Sequence, residues 1–269
     1  MSLDDPIDPV LDSVAGTTTA APAPALEPMT QAIGGLPWRF SCFVTGTETE
    51  IGKTLVSAAI LHKLMAGGVR ACGMKPVAAG ADMRDGELHN DDADQLLAAG
   101  NVHLPRNLTT PYMLRTAAAP HIAAALDGVT IEAVPILAAY AEIAAASDAV
   151  VVEGVGGFRV PLSNAFDSAD LAAQLNLPVV LVVGVRLGCI SHSLLTVEAI
   201  VARNLVLAGW VANEVDPDMA FVDENIAALA LRIPAPLIGR VPFLDQPTAA
   251  HAAAFITLAG LPGWPPAHD

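Results

Sequence analysis

Short runs of β-branched and other apolar residues alternate with longer Ala- and Leu-rich segments from residue 38 onward. The short runs predict strands at 39–45, 71–76, 149–153, 179–185, 207–213 and 236–239. Several are apolar at consecutive positions, the pattern of parallel strands covered on both faces. The longer segments predict helices at 53–65, 131–146, 191–204 and 223–231. Strand–helix alternation of this kind implies an α/β fold: a doubly wound, mostly parallel sheet with helices on both faces. In such sheets ligands bind beyond the carboxyl ends of the strands, so candidate chemistry is sought there. The longest apolar run, 177–185, has nine residues and ends at Arg186, short of the ~18 a membrane span needs.

Residues 1–37 break this pattern. They carry none of the 13 basic residues and five of the 28 acidic ones, and are rich in Thr, Ala and Pro. They are expected to form a flexible tail, with the domain boundary near Pro37 and one domain over 38–269. The missing N-terminal positive charge fits neither a secretory signal nor a mitochondrial presequence, so a cytoplasmic location is expected. A net charge of −15 argues against nucleic-acid binding. Cys42, Cys72 and Cys189 are odd in number and widely spaced, which suits reduced thiols better than disulfides or structural zinc.

After the first strand comes Thr45-Gly46-Thr47-Glu48-Thr49-Glu50-Ile51-Gly52-Lys53-Thr54, followed by a helical pattern. The Gly-Lys-Thr ending reads as a phosphate-binding loop of P-loop NTPase type, although five residues rather than four separate Gly46 and Gly52. Backbone N–H groups and the helix start attract phosphate, Lys53 reaches the outer phosphates, and Thr54 offers a hydroxyl to a metal ion. Glu50, Ile51, Gly52, Lys53, Thr54 and Leu55 are therefore expected at the nucleotide. The plainer reading is a glycine turn before a helix, with Lys53 in solvent.

Other strand ends add charge to the same edge. Lys75 lies at the carboxyl end of the second strand, with Pro76 stiffening the exit, and a second cation there suits phosphoryl transfer. Glu153 follows an apolar strand, where a carboxylate can hold magnesium opposite Thr54. Asp92 is a further oxygen donor, or one acid of a helix start stabilising the dipole. Gly154, Gly156 and Gly157 permit close approach of backbone to ligand. The stretch Gly188, Cys189, Ile190 and Ser191 opens a helix whose free N–H groups can receive a carboxylate. His192 reads as structural rather than as a base, and Cys189 as a small buried hydrophobe. Asn213 either reads an adenine edge or forms a turn.

Seven blocks in order, from about Phe40 to Leu244, resemble the dethiobiotin synthetase family. They are the loop, Lys75-Pro76-Val77, Ala119-Pro120-His121, Val152-Glu153-Gly154-x-Gly156-Gly157, Leu187-Gly188-Cys189-Ile190, Gly209-Trp210-Val211-Ala212-Asn213 and Pro236-Leu237-Ile238-Gly239. The resemblance implies an ATP- and Mg2+-dependent carbon–nitrogen cyclo-ligase that joins 7,8-diaminononanoate and CO2 into the cyclic urea of dethiobiotin. It implies Lys53 and Lys75 on phosphates and carbamate, Thr49 and Gly156 beside the diamine, and Thr54, Asp92 and Glu153 around magnesium. Asn213, Glu214, Pro242, Phe243 and Leu244 would flank adenine. A homodimer is implied, with the partner's Gly188-to-Ser191 helix start receiving the substrate carboxylate. Ala79 and Ser191 depart from residues common in the family, Ser and Asn respectively.

Two other function classes are weighed. A dimeric ATP-gated switch of related fold carries a signature lysine five residues before the loop lysine, where this chain has Glu48. An amidotransferase-type synthetase needs a glutaminase domain with its own cysteine nucleophile, for which the remaining length is too short.

Overall fold

The structure, a computed structural model, describes residues 39–264. The expected tail and the boundary near Pro37 lie outside the described residues. The chain runs β1 (Phe40–Gly46), α1 (Lys53–Ala66), β2 (Ala71–Met74), β3 (Val77–Ala79), β4 (Asp82–Arg84), β5 (Glu87–His89) and α2 (Asp91–Ala99). It continues through α3 (Arg106–Thr109), β6 (Tyr112–Leu114), α4 (Pro120–Leu126), α5 (Ala133–Ala146), β7 (Ala149–Glu153) and α6 (Ser168–Leu175). The last elements are β8 (Val179–Val185), α7 (Cys189–Val201), β9 (Leu207–Glu214), α8 (Val222–Ala230), β10 (Leu237–Val241) and α9 (Ala249–Ala253).

Six strands form one parallel sheet in the order β10-β9-β8-β1-β7-β2. From β1 the chain first builds outward through β2 and β7, then returns past β1 to lay down β8, β9 and β10. The direction of winding thus reverses at β1, which opens a crevice at the carboxyl ends of β1, β7 and β2. Alternate residues of one strand feed opposite faces: Val151 packs with Leu61 and Leu64 of α1, whereas Val150 and Val152 pack with Ile136 and Ile143 of α5. This two-sided burial explains strands that are apolar at every position.

The expected strands at 149–153 and 179–185 match β7 and β8, and the other expected strands and helices differ at one or both ends by one to three residues. The second strand ends at Met74, not 76, because Pro76 lacks an N–H and the Lys75 amide donates instead to the Thr109 carbonyl at 2.8 Å. Val77 then starts a separate parallel pair, β3 with β6. The last strand covers Leu237–Val241, with Pro236 giving only its carbonyl to the Trp210 amide. The helix expected at 191–204 starts earlier, at Cys189, and closes at Val201. Cys42, Cys72 and Cys189 are buried free thiols, and burial pushes Cys42 up to about 12 and Cys72 up to about 11. Among the described residues no helix is long and apolar enough to cross a membrane.

Candidate functional site

The loop between β1 and α1 is held in a shape few sequences adopt. Gly52, the residue before α1, has φ of 85°, and a methyl added there would fall 2.2 Å from Asn213 Nδ2. That amide, at the end of β9, is buried and donates to the Ile51 carbonyl at 2.8 Å. Asn213 therefore clamps the loop rather than forming a turn. Glu50, exposed, also sits in the left-handed region at φ 60°, a strained conformation for a residue with a side chain. Lys53, at the first helical turn, curls back and donates from Nζ to the Glu48 carbonyl at 2.7 Å. Burial, then repulsion from Lys75, pulls its pKa down to about 8.

Beneath the loop, three strand ends and a helix start converge. Thr54 Oγ1 donates to Glu153 Oε1 at 2.9 Å, and Lys75 Nζ lies 2.5 Å from the same oxygen. Lys75 also donates to Asp92 Oδ2 at 3.0 Å and to the Gly154 carbonyl at 3.3 Å. Burial alone would lower the Lys75 pKa, but the Glu153 and Asp92 carboxylates outweigh it and hold it above the ordinary value. Asp92 is held below the carboxylate range because Lys75 and the Thr54 hydroxyl outweigh its burial. Asp92 is carried by α2, whose N-cap Asn90 accepts from the Ala93 amide at 3.3 Å and donates to the Ala79 carbonyl at 3.1 Å. Asp92 thus begins a helix, as the plainer interpretation expects, and faces Lys75.

Glu153 Oε2 is buried without a hydrogen-bond partner among the described residues. A buried carboxylate oxygen left this way is a vacant acceptor, and with Thr54 Oγ1 and Asp92 it makes a hard oxygen set of the type magnesium takes. Among the described residues no group of three His, Cys, Asp or Glu is arranged to hold a metal. A divalent ion here would therefore complete its shell with phosphate and water, as magnesium ordinarily does.

Lys53, Thr54, Lys75 and Asp92 line a cleft of about 1290 Å³. Thr49, Glu50, Gly52, Lys53, Thr54, Lys75, Asp92 and Gly156 all line it, as does Ala79. Gly156 has φ of 62°, and a methyl on Gly157 would fall 3.1 Å from the Thr47 carbonyl, so the glycine wall abuts the loop backbone. Arg159, which sequence reasoning did not single out, also lines the cleft. It lies two residues beyond the glycines of the Val152-to-Gly157 block; a cation that close to a glycine wall was the available signal.

Other expected site residues are not brought to this cleft. Gly188, Cys189, Ile190 and Ser191 lie at the start of α7, outside its lining, with Cys189 buried and Ser191 exposed. His192 is exposed on the same turn, its Nδ1 3.4 Å from Glu48 Oε1, while Arg186 donates to Glu48 Oε2. Glu214 closes β9 and accepts from Arg240 Nε at 2.6 Å. Pro242, Phe243 and Leu244 follow β10; Phe243 is exposed and Leu244 packs on the core, as does Leu55. Asn213, Ile51 and Glu153 lie just behind the lining.

The AAA domain family matches residues 41–251. ATP-dependent dethiobiotin synthetase BioD of Janthinobacterium sp. (strain Marseille) is 56% identical over 232 residues, which is 85% of this chain and 98% of that protein. Among solved structures, the MinC:MinD cell division protein complex of Aquifex aeolicus aligns with a TM-score of 0.51 at 13% identity, covering 80% of this chain and 92% of that one. That likeness establishes the parallel α/β fold and nothing finer. With a relative this similar over nearly its whole length, the chain belongs to the dethiobiotin synthetase family.

Proposed function

We propose that this protein is an ATP-dependent dethiobiotin synthetase that carboxylates 7,8-diaminononanoate with CO2 and closes the cyclic urea. The observation that carries the assignment is the meeting of Lys53, Thr54, Lys75 and Asp92 in the lining of one cleft beside the phosphate loop, with Glu153 bonded to Thr54 and Lys75 just behind them. An amine of the substrate takes up CO2 as a carbamate. A carbamate oxygen attacks the γ-phosphate of ATP, ADP leaves, and the second amine closes the ring by expelling phosphate. Lys53 and Lys75 supply positive charge where negative charge gathers in the first transfer. Lys75 holds its proton throughout, because Glu153 and Asp92 raise its pKa. Thr49, exposed at the loop tip, and Gly156 face the diamine.

Thr54, Asp92 and Glu153 would hold Mg2+, which when bound neutralises charge on the outer phosphates. Asn213, Glu214, Pro242, Phe243 and Leu244 flank adenine at neighbouring strand ends. The working unit is a cytoplasmic homodimer built on one domain spanning 38–269. Leu187 at 92% exposure and Leu195 at 61%, on and before α7, support a partner subunit over that helix. Glu48 takes the place of a switch ATPase's signature lysine, and its carboxylate is already engaged by Arg186 and His192, which favours the ligase over the switch.

The test is direct. Purified protein supplied with the diamine, bicarbonate, magnesium and ATP should form dethiobiotin and ADP in equal amounts, and Lys53→Ala should abolish both. Hydrolysis of ATP indifferent to the diamine would overturn the assignment.

A further inference from the structure

We propose that Arg159 is a specificity-determining residue that grips the carboxylate of the aliphatic substrate from within the cleft; the inference rests on the function proposed above. Three cations line the cleft, Lys53, Lys75 and Arg159. The two lysines are buried and already engaged, Lys53 by the Glu48 carbonyl and Lys75 by Glu153 and Asp92. Arg159 differs, since its side chain is 62% exposed. Its Nε donates to Asp167 Oδ2 at 2.8 Å, and neither terminal nitrogen has a partner among the described residues.

The backbone on either side of this guanidinium is fixed. Ser168, buried, donates from Oγ to the Phe158 carbonyl at 2.7 Å and accepts from the Val160 amide at 2.9 Å. The Ser168 amide in turn donates to the Val160 carbonyl at 2.9 Å. Asp167, itself the capping residue of α6, also faces Arg203 at 3.6 Å and so stays put when Arg159 engages a ligand. An arginine anchored at Nε on a pinned backbone, with its two-nitrogen fork open, is prepared for a bidentate anion at little entropic cost.

The surroundings indicate which anion. Besides Arg159, the lining of the cleft includes Val155, Val160, Leu195 and Ala199, apolar surface suited to a methylene chain. The phosphate end, by contrast, is built from the loop, Lys53 and Thr54. An alkyl diamine whose amines sit by Lys75 and Thr49 would lay its chain along the apolar wall and bring its carboxylate to the fork. The resemblance assigns that carboxylate to N–H donors of the partner's helix start; Arg159 adds the opposing full charge from this subunit.

Steady-state kinetics of the full chain distinguish the outcomes. Arg159→Ala should raise KM for 7,8-diaminononanoate about tenfold or more, the value of one charge-assisted pair, with kcat and KM for ATP within about twofold. The methyl ester of the diamino acid, which lacks the anion, should be turned over equally by both proteins. Arg159→Met, which keeps the apolar stem, serves if the alanine variant does not fold. An unchanged diamine KM, an equal penalty on the ester, or a rise confined to ATP overturns the inference while leaving the ligase intact. Absence of diamine turnover by the unsubstituted protein overturns both.

Discussion

Lys75 Nζ lies 2.5 Å from Glu153 Oε1, and the two side chains are 4% and 0% exposed. Their attraction is what makes either charge tolerable away from water, since one of them buried alone carries a desolvation cost of several kcal/mol. The second carboxylate, Asp92, is 47% exposed and screened, so it replaces Glu153 only in part.

Removing one partner should therefore cost far more than removing both. Lys75→Met alone is expected to lower stability by about 3–5 kcal/mol in urea unfolding, because it strands Glu153. Adding Glu153→Leu should recover part of that loss, and both proteins should lose turnover by roughly a hundredfold or more. Additive stability losses in this cycle would mean the two charges are not coupled.

Lys53 gives the unliganded protein a pH signature. Its folded pKa, about 8, is below the ordinary 10.5, so between those values the unfolded chain holds a proton that the folded chain has released. Stability should rise with pH across that window, and Lys53→Met should flatten the rise. The same variant should be more stable than the parent well below pH 8, where the buried ammonium is fully charged. ATP binding, which needs the ammonium, should weaken as pH climbs through about 8; calorimetry in buffers of different ionisation heat would register the accompanying proton uptake. An ATP affinity level from pH 7 to 9 counts against this account.

Much of this was readable in advance, for reasons that differ by element. β7, up to its terminal Glu153, and all of β8 are apolar because helices cover both sheet faces, so their bounds, Ala149–Glu153 and Val179–Val185, match the expected strands. Lys53 and Thr54 were legible from the Gly-Lys-Thr that opens α1, and Lys75 and Glu153 because they stand at the ends of β2 and β7. The β4–β5 hairpin was not anticipated: its strands are polar and largely exposed, and its only cue is Asp85-Gly86, both with positive φ at 51° and 88°. Helix α6 announces itself by Asp167 and Asp170, which cap one another across its first turn, a spacing that hydrophobic periodicity passes over. The clamp of Asn213 on Ile51 spans 162 residues, and a pairing of that range leaves no trace in local pattern.

Gly52 should be intolerant of any side chain. Its φ of 85° is strained for an L-residue, and the new methyl would meet Asn213 Nδ2 at 2.2 Å. Gly52→Ala is expected to cost about 1–3 kcal/mol and to weaken nucleotide binding as the Ile51 clamp opens. Asn213→Ala in the same chain removes the collision but not the φ strain, so stability should return only in part. Full recovery in thermal unfolding would show that crowding alone was at fault.

Asp167 should act as an acid-sensitive latch on the Arg159 wall. Its Oδ1 accepts from the Asp170 amide at 2.9 Å, and its Oδ2 faces Arg159 at 2.8 Å and Arg203 at 3.6 Å. Burial alone would raise its pKa, but the Asp170 amide and the two guanidiniums outweigh that and hold it below the ordinary 3.8. A depressed carboxylate contributes stability that is fully present above the unfolded pKa and is lost as pH falls through the folded one. Asp167→Ala is thus expected to cost about 1–2 kcal/mol at neutral pH through loss of the cap, plus whatever the arginines contribute. Asp167→Asn, which keeps a capping oxygen but no charge, should lose only the pH-dependent part. The stability gap between the parent and Asp167→Asn, followed by urea unfolding from pH 7 downward, should close below pH 3.8. No gap at pH 7 would mean that the arginine contacts add nothing and that the cap alone holds the wall, and a gap that persists unchanged into acid would mean that its source is not the carboxylate charge.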